Sequence, residues 1–160
     1  MRILVSVAAV ALLLACLPAI AQQGAFPGQG SKEVWLKANG LYDEGNKLYE
    51  VKKYAESIAK YQSAVALYPF DAHYYYNLGL ALKKNGDFKA AADAFRKSLA
   101  LNKSDWRSWK GLANALYKDG QYFQSADAFK SALKANPPSK ELPDIKNGLA
   151  AALRLRAQSK

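Results

Sequence analysis

The chain repeats itself at a fixed interval of 34 residues, and this periodicity constrains its fold more than any other feature. Residues of similar size and polarity recur at that interval in four columns: Gly45, Gly79 and Ala113; Leu48, Leu82 and Leu116; Tyr54, Phe88 and Tyr122; Tyr61, Phe95 and Phe129. A period of this length marks structural units that cannot bury their own apolar face and therefore stack. The columns define three units, 38–71, 72–105 and 106–139.

Each unit is predicted to be a pair of antiparallel helices, and unit two shows the pattern best. Its first apolar stripe has helical spacing and consists of Tyr75, Leu78, Gly79 and Leu82. Its second stripe consists of Phe88, Ala91, Phe95, Ser98 and Leu99. Between them, Gly86 suits a left-handed helix end and Asp87 suits the N-terminal cap of the next helix. We expect the small columns to let the paired helices approach closely and the aromatic columns to fill the space between units.

This pattern resembles the tetratricopeptide repeat family, whose signature is a large residue, Leu, a small residue, and later a small residue, an aromatic residue and a closing Pro. Unit two matches it at Tyr75, Leu78, Gly79, Ala91 and Phe95, and unit three at Trp109, Leu112, Ala113, Ser125, Phe129 and Pro137. Unit one departs from it, with Glu44 in place of Leu and Lys52 in place of the usual turn Gly, and Lys103 replaces the closing Pro of unit two. The resemblance implies an all-α fold, an α-solenoid of three helix–turn–helix repeats.

The sequences that flank the units fit the same architecture. Ser31 can cap a first helix that starts before unit one, so the repeat region is expected to span 32–139. Residues 140–158 are predicted to form a C-terminal capping helix, with Ser139 as its N-terminal cap. The face that this helix turns to the array is predicted to consist of Ile145, Leu149, Ala152 and Leu153.

The N-terminal segment 1–21 reads as a signal peptide. Arg2 precedes an apolar run, and the small residues up to Ala21 suit cleavage there, so we expect an exported protein in the bacterial periplasm or secreted. Cys16 leaves a second interpretation open, because the residues before it resemble the lipidation motif of bacterial lipoproteins. A lipid attached there would hold the protein on a membrane. Cleavage after Ala21 is favoured because the residues after Cys16 remain apolar. Residues 22–30, rich in Gly and Gln, are predicted to be part of a flexible lead-in, 22–31.

Composition argues against catalysis and metal binding. The sequence has one His and one Cys, and cleavage after Ala21 would remove that Cys, so a transition-metal site lacks its usual ligands. His73 has no accompanying nucleophile motif or Gly-rich phosphate loop. We therefore expect no enzyme activity, no catalytic residue, no metal and no cofactor.

The residues left for recognition form a second stripe on the first helices, which line the concave face in stacked helical hairpins. In chain order this stripe comprises Asn39, Tyr42, Asn46, Tyr49, His73, Tyr76, Leu80, Lys83, Arg107, Lys110, Asn114 and Tyr117, with Asn77 and Lys84 at its margin. Tyrosines supply contact area at a low entropy cost, while amides and cations can bind an extended backbone and carboxylates. The stripe is predicted to be a peptide-binding groove, although such residues are also common in the family's generic pattern.

The resemblance allows one further test, because tetratricopeptide co-chaperones bind a C-terminal carboxylate with five conserved groove positions. Asn46, Asn77 and Arg107 match three of these positions, whereas Tyr42 and Gly111 stand where two cations would be. The expected export also separates the chain from cytosolic chaperones. We therefore do not predict that carboxylate site, and retain only a preference for acidic or extended peptides.

The leading functional prediction is a non-enzymatic interaction module, an adaptor of the cell envelope that binds a protein partner through the groove. A different class of function remains open, because the net charge is +10 and falls only to +9 without Arg2. Such a charge allows binding to an anionic polymer or membrane surface. A structural or oligomeric scaffold is a third possibility, and the sequence leaves the oligomeric state open. Nucleic acid is not an expected partner of an exported protein.

Overall fold

Seven helices follow one another along residues 32–158, the part of the chain that the computed structural model describes. They are α1 (Lys32–Glu50), α2 (Tyr54–Leu67), α3 (Ala72–Asn85), α4 (Phe88–Leu101), α5 (Trp106–Lys118), α6 (Tyr122–Lys134) and α7 (Leu142–Gln158). The predicted signal peptide 1–21, the lead-in 22–31 and the proposed cap Ser31 lie outside the described residues. As predicted, the first helix starts before unit one.

The helices form three hairpins that stack in chain order. The packed pairs are α1 with α2, α3 with α4 and α5 with α6; each hairpin packs on the next, and α7 packs on α6. The backbones of successive first helices also approach one another, whereas those of successive second helices within residues 32–158 lie farther apart, and the side chains of Arg96 and Gln124 bridge two of them. This asymmetry places α1, α3 and α5 on the inner side of the curve. The prediction of an all-α solenoid of three repeats with a capping helix is confirmed.

The aromatic column fills the junctions between helices because glycines make room for it. A Cβ atom on Gly79 would lie 2.9 Å from the ring of Phe95, and one on Gly111 would lie 2.6 Å from the same ring. Phe95 is therefore packed between the first helix of its own unit and that of the next. Gly148 of α7 lies against Phe129 in the same way, since a Cβ atom there would overlap that ring. The cap thus uses the same contact as the repeats.

Buried serines add a polar link inside two of the hairpins. The hydroxyl of Ser57 donates to the carbonyl oxygen of Gly45 at 2.9 Å, and that of Ser125 donates to Ala113 at 2.8 Å. Both serines are fully buried. The second helix of each hairpin is thereby joined to the small residue of the first helix.

The turns inside the hairpins require a left-handed residue at one repeated position. Gly86 and Gly120 have φ values of 94° and 79°. Lys52, the equivalent residue of unit one, has a φ of 63°. The prediction that Gly86 ends α3 in this conformation is confirmed.

Helix capping differs in part from the prediction. Asp87 precedes α4, but its side chain makes no capping hydrogen bond and instead accepts one from Asn85 Nδ2 at 2.7 Å. The side chains that do cap are those of Asp71, which accepts from the amide of His73, and Asp105, which accepts from the amides at the start of α5. Cap bonds thus form at the first helices of units two and three.

The capping helix also differs from the prediction in its start and in one face residue. Ser139 belongs to a 3₁₀ turn, Ser139–Glu141, and α7 begins at Leu142, so Ser139 does not cap it. Ile145 and Ala152 are fully buried, and Leu149 packs against the core. Leu153 is exposed, so its assignment to the packed face was wrong.

No helix within residues 32–158 combines the length and the apolar character needed to cross a membrane.

Candidate functional site

Two adjacent pockets open on the inner face of the solenoid. The first, which we name the tyrosine pocket, has a volume of about 230 Å³ and is lined by Asn46, Tyr49, Glu50, Tyr61, Asn77 and Leu80. The second, which we name the cationic pocket, has a volume of about 260 Å³, and its lining includes Tyr76, Leu80, Lys83, Arg107, Lys110, Asn114 and Glu141. Leu80 lines both, so the pockets are separated by little more than one side chain. Together they form the groove.

Hydrogen bonds between units one and two hold the wall of the tyrosine pocket. The hydroxyl of Tyr61 donates to Asn46 Oδ1 at 2.7 Å, and Asn77 Nδ2 donates to the same oxygen at 3.0 Å. Asn77 Nδ2 also lies 2.7 Å from the hydroxyl of Tyr42 and donates to it. Burial raises the pKa of Tyr61 to about 12, so this hydroxyl remains a neutral donor at ordinary pH.

Tyr42 serves chiefly as a packing residue beneath this wall. Its ring stacks on that of Tyr74 with 4.9 Å between centroids and lies 5.7 Å from the ring of Tyr61. Burial raises the pKa of Tyr42. Tyr49, at the far end of the same helix, packs edge-on against Tyr54. Among the groove residues of unit one, Tyr42 is therefore the one whose removal would loosen the fold.

Carboxylates of this chain already neutralise one cation of the cationic pocket. Lys110 Nζ lies 2.9 Å from Glu141 Oε2 and also forms an ion pair with Asp144. Burial alone would lower the pKa of Lys110, but the carboxylates of Asp144 and Glu141 outweigh it and raise that pKa. The start of the capping segment is thus tied to the groove.

A second cation, Arg107, is also partly engaged. Its Nε atom donates to Asp105 Oδ1 at 2.9 Å, and its guanidinium carbon lies 5.5 Å from the ring centroid of Tyr76. The hydrogen bond to Asp105 raises the pKa of Arg107. The guanidinium group is therefore held over the tyrosine at the edge of the pocket.

Lys83 is the cation of this pocket that lacks a partner. It is half-buried in α3, and its ammonium group forms no hydrogen bond or ion pair with any residue in 32–158. Burial lowers its pKa, and the nearby charges of Lys84 and Lys110 lower it further. An unpaired ammonium group in a concave surface attracts an anion from outside the protein.

The structure divides the predicted groove residues into three groups. The tyrosine pocket contains Asn46, Tyr49 and Asn77. The cationic pocket contains Tyr76, Lys83, Arg107, Lys110 and Asn114. Outside both pockets lie Asn39, Tyr42, His73, Lys84 and Tyr117.

His73 and Tyr117 lie near opposite ends of their helices. His73 is exposed at the start of α3, where its Nδ1 atom is 3.2 Å from Asp71 Oδ1. Tyr117 packs edge-on against Tyr122 near the end of α5.

Two acidic groove residues were missed because no repeat column indicates them. Glu50 occupies the last position of α1, and Glu141 lies in the turn after the repeats, where the 34-residue pattern has ended. The two prolines before that turn mark a break but not the direction in which the chain continues. Over residues 32–158 the structure contains no group of three or more His, Cys, Asp or Glu side chains that could hold a metal ion.

The stacked hairpins, with a groove on their inner face, define an α-solenoid repeat protein. The sequence profile described as tetratricopeptide repeat matches residues 42–105 and 76–140, which together cover more than half of the chain. The chain belongs to the tetratricopeptide repeat family.

Solved structures of the same fold include other tetratricopeptide repeat domains, some of them bound to a peptide. The first tetratricopeptide repeat domain of Spaghetti (RPAP3), bound to the HSP90 peptide SRMEEVD, has a TM-score of 0.70 and 22% identity over 76% of this chain and 94% of that one. The Arabidopsis OM64 domain has a TM-score of 0.69 and 22% identity over 78% of this chain and 98% of its own.

A bacterial relative in fold is the Yersinia enterocolitica type III secretion chaperone SycD in complex with a peptide of the translocator YopD. Its TM-score is 0.65, with 15% identity over 76% of this chain and 94% of that one. At these identities the similarity establishes the fold. No curated protein sequence matches the chain.

Proposed function

We propose that this protein is a non-enzymatic adaptor module that binds an extended segment of a partner protein along its inner face. The observation that carries the proposal is the pair of adjacent pockets joined at Leu80. Each is of a size to hold one side chain, and side chains on one face of an extended segment recur every second residue. Domains of the same fold bind an HSP90 peptide in Spaghetti and a YopD peptide in SycD, which supports this use of the fold.

We also propose that the module works in the cell envelope. The support is the N-terminal sequence, with its apolar run and the small residues up to Ala21. The intact mass of the protein purified from its own cells tests this. Loss of 1–21 is expected, a lipid-modified Cys16 would place the protein on a membrane instead, and an uncleaved chain in the cytosol would contradict export.

Site-specific photo-crosslinking in the cell of origin tests the groove. A benzophenone amino acid is placed at Asn114, inside the cationic pocket, and, as the control, at Ala100, which is exposed on the second helix of unit two. We expect a discrete protein adduct at Asn114 and none at Ala100. A purified partner identified from that adduct must then bind the wild-type chain directly. Equal adducts at both positions, or none at Asn114, would contradict groove binding.

A further inference from the structure

We propose that the groove selects segments in which an acidic side chain enters the cationic pocket and pairs with Lys83, while an apolar side chain enters the tyrosine pocket across Leu80. This inference rests on the proposed function and specifies the kind of partner.

The three cations of the cationic pocket are not equivalent. Glu141 and Asp144 already pair with Lys110, and Asp105 already pairs with Arg107. Lys83 is the one without a counter-ion among residues 32–158, and its lowered pKa reflects burial and two neighbouring lysines. A carboxylate brought by a partner would relieve this unfavourable charge, and charge-assisted hydrogen bonds of this kind are the strong ones.

The tyrosine pocket favours an apolar side chain because several of its polar atoms are already bonded. Asn46 Oδ1 accepts two hydrogen bonds, and Asn77 Nδ2 and the hydroxyl of Tyr61 are the donors. The side chains of Tyr49 and Leu80 provide apolar surface. Glu50 lines the same pocket and would repel a second carboxylate. The charge along the groove therefore changes from negative at the end of α1 to positive where α3 and α5 line the cationic pocket.

The shared wall at Leu80 sets the spacing of the two side chains. Adjacent residues of an extended segment point to opposite sides, and residues two apart on one face are separated by about 6.6–6.8 Å. Pockets on the two sides of a single leucine therefore suit an acidic and an apolar residue two or four positions apart.

A selection from a phage-displayed library of random 12-residue peptides tests the inference with the purified repeat protein. We expect enrichment of peptides that carry Asp or Glu two or four positions from a large apolar residue. A selected peptide is then synthesised with a fluorescent label, and its affinity is measured by fluorescence anisotropy for the wild type, Lys83→Gln and Lys84→Gln. Lys84 is an exposed neighbour on the same helix, so it is a control matched in charge.

The affinity is expected to fall about ten-fold or more in Lys83→Gln, as loss of a charge-assisted hydrogen bond predicts, and less than two-fold in Lys84→Gln. Replacing the acidic residue of the peptide by its amide should weaken binding to the wild type equally. It should cause little further loss in Lys83→Gln, because the two changes remove one contact. The peptide change leaves the protein untouched, so the result does not depend on how the variant folds.

Two outcomes would overturn the inference, and they separate it from the proposed function. If the selected peptides lose binding on Leu80→Asp but lack an acidic preference, or bind Lys83→Gln and Lys84→Gln equally, the groove binds peptides and the assignment of Lys83 is wrong. If no peptide is enriched, or binding is insensitive to Leu80→Asp, the proposed function fails together with the inference. Circular dichroism confirms in each case that the variants remain helical.

Discussion

Lys52 is the residue at which this chain departs most clearly from its own repeat. The equivalent positions in units two and three are Gly86 and Gly120, and all three residues have a positive φ. A side chain in the left-handed region places Cβ too close to the following carbonyl oxygen, which glycine avoids. Unit one therefore carries backbone strain at its turn that the other two units lack.

Replacement of Lys52 by Gly is expected to raise the free energy of unfolding by about 0.5–1 kcal/mol, because relief of strain exceeds the added entropy of the unfolded chain. Lys53→Gly provides the control. Lys53 has a φ of −82°, so glycine gains nothing there and the variant is expected to lose about 0.5 kcal/mol. Urea denaturation of both variants is the measurement. Equal effects of the two changes would show that the turn is unstrained.

Two buried tyrosines predict how stability depends on alkaline pH. Burial raises the pKa of Tyr61 and of Tyr74 to about 12, from the ordinary value near 10. Their contribution to stability is fully present below about pH 10 and is lost as pH rises towards about 12, because the unfolded chain releases these protons first. The free energy of unfolding should therefore fall over that range.

Urea denaturation measured at several pH values above 9 checks this expectation. Tyr61→Phe is expected to reduce the slope of stability against pH, since one of the tyrosines with a raised pKa no longer titrates. A slope as steep as that of the wild type would contradict the assignment.

At the scale of the helices, the contact of a glycine with an aromatic ring sets how closely successive units pack. Gly111 of α5 lies against Phe95 of α4, and Gly148 of α7 lies against Phe129 of α6. Both rings are buried. Since neither ring has space to move, the distance between neighbouring hairpins depends on the absence of a side chain at these two positions.

Gly111→Ala is expected to destabilise the fold by about 1–3 kcal/mol, because its Cβ would lie 2.6 Å from the ring of Phe95 and the junction would be overpacked. Gly40→Ala is the matched control. It makes the same change inside α1, where a Cβ meets nothing within 4 Å, so the gain in helix propensity should stabilise the fold by up to about 1 kcal/mol. Thermal melts of both variants check the prediction, which a stabilised Gly111→Ala would refute.

The helices could be predicted from the sequence because each apolar column repeats three times, and each copy supports the others. Features that occur once could not be predicted in this way. Leu153 has helical spacing with Ile145 and Leu149 and still proves exposed, since spacing alone does not tell which side of a last helix faces the array. Asp87 has the chemistry of a cap, but its side chain bonds to Asn85 instead. Such local competition between partners is not visible in a pattern.

At the scale of the whole molecule, the recognition stripe was predictable but its internal pairing was not. The period places Lys83, Arg107 and Lys110 on one face, and the structure does bring them into one pocket. Only the packed chain reveals that Glu141 and Asp144 neutralise Lys110. Those carboxylates lie beyond the last repeat, so their position depends on how the chain leaves unit three.

Salt dependence distinguishes the two modes of binding that the net charge of +10 leaves open. A peptide that pairs with one lysine should lose less than about ten-fold in affinity between about 50 and 200 mM salt, whereas binding of an anionic polymer through 6–10 charges would lose about 10³–10⁵-fold. The labelled peptide and a labelled polyanion, titrated side by side, provide the measurement. A steep loss for the peptide would place this protein among charge-driven binders.

The glycine that lies against Phe129 has a consequence for how such a chain can lengthen. Gly148 contacts Phe129 as Gly111 contacts Phe95, although the two glycines are 37 residues apart and the repeat period is 34. The turn before α7 accommodates the additional residues, so the contact itself is unchanged. A tandem duplication of 106–139 would offer α7 the same docking place one unit later. A single in-frame duplication could thus lengthen the groove by one repeat, and the capping helix would need no change.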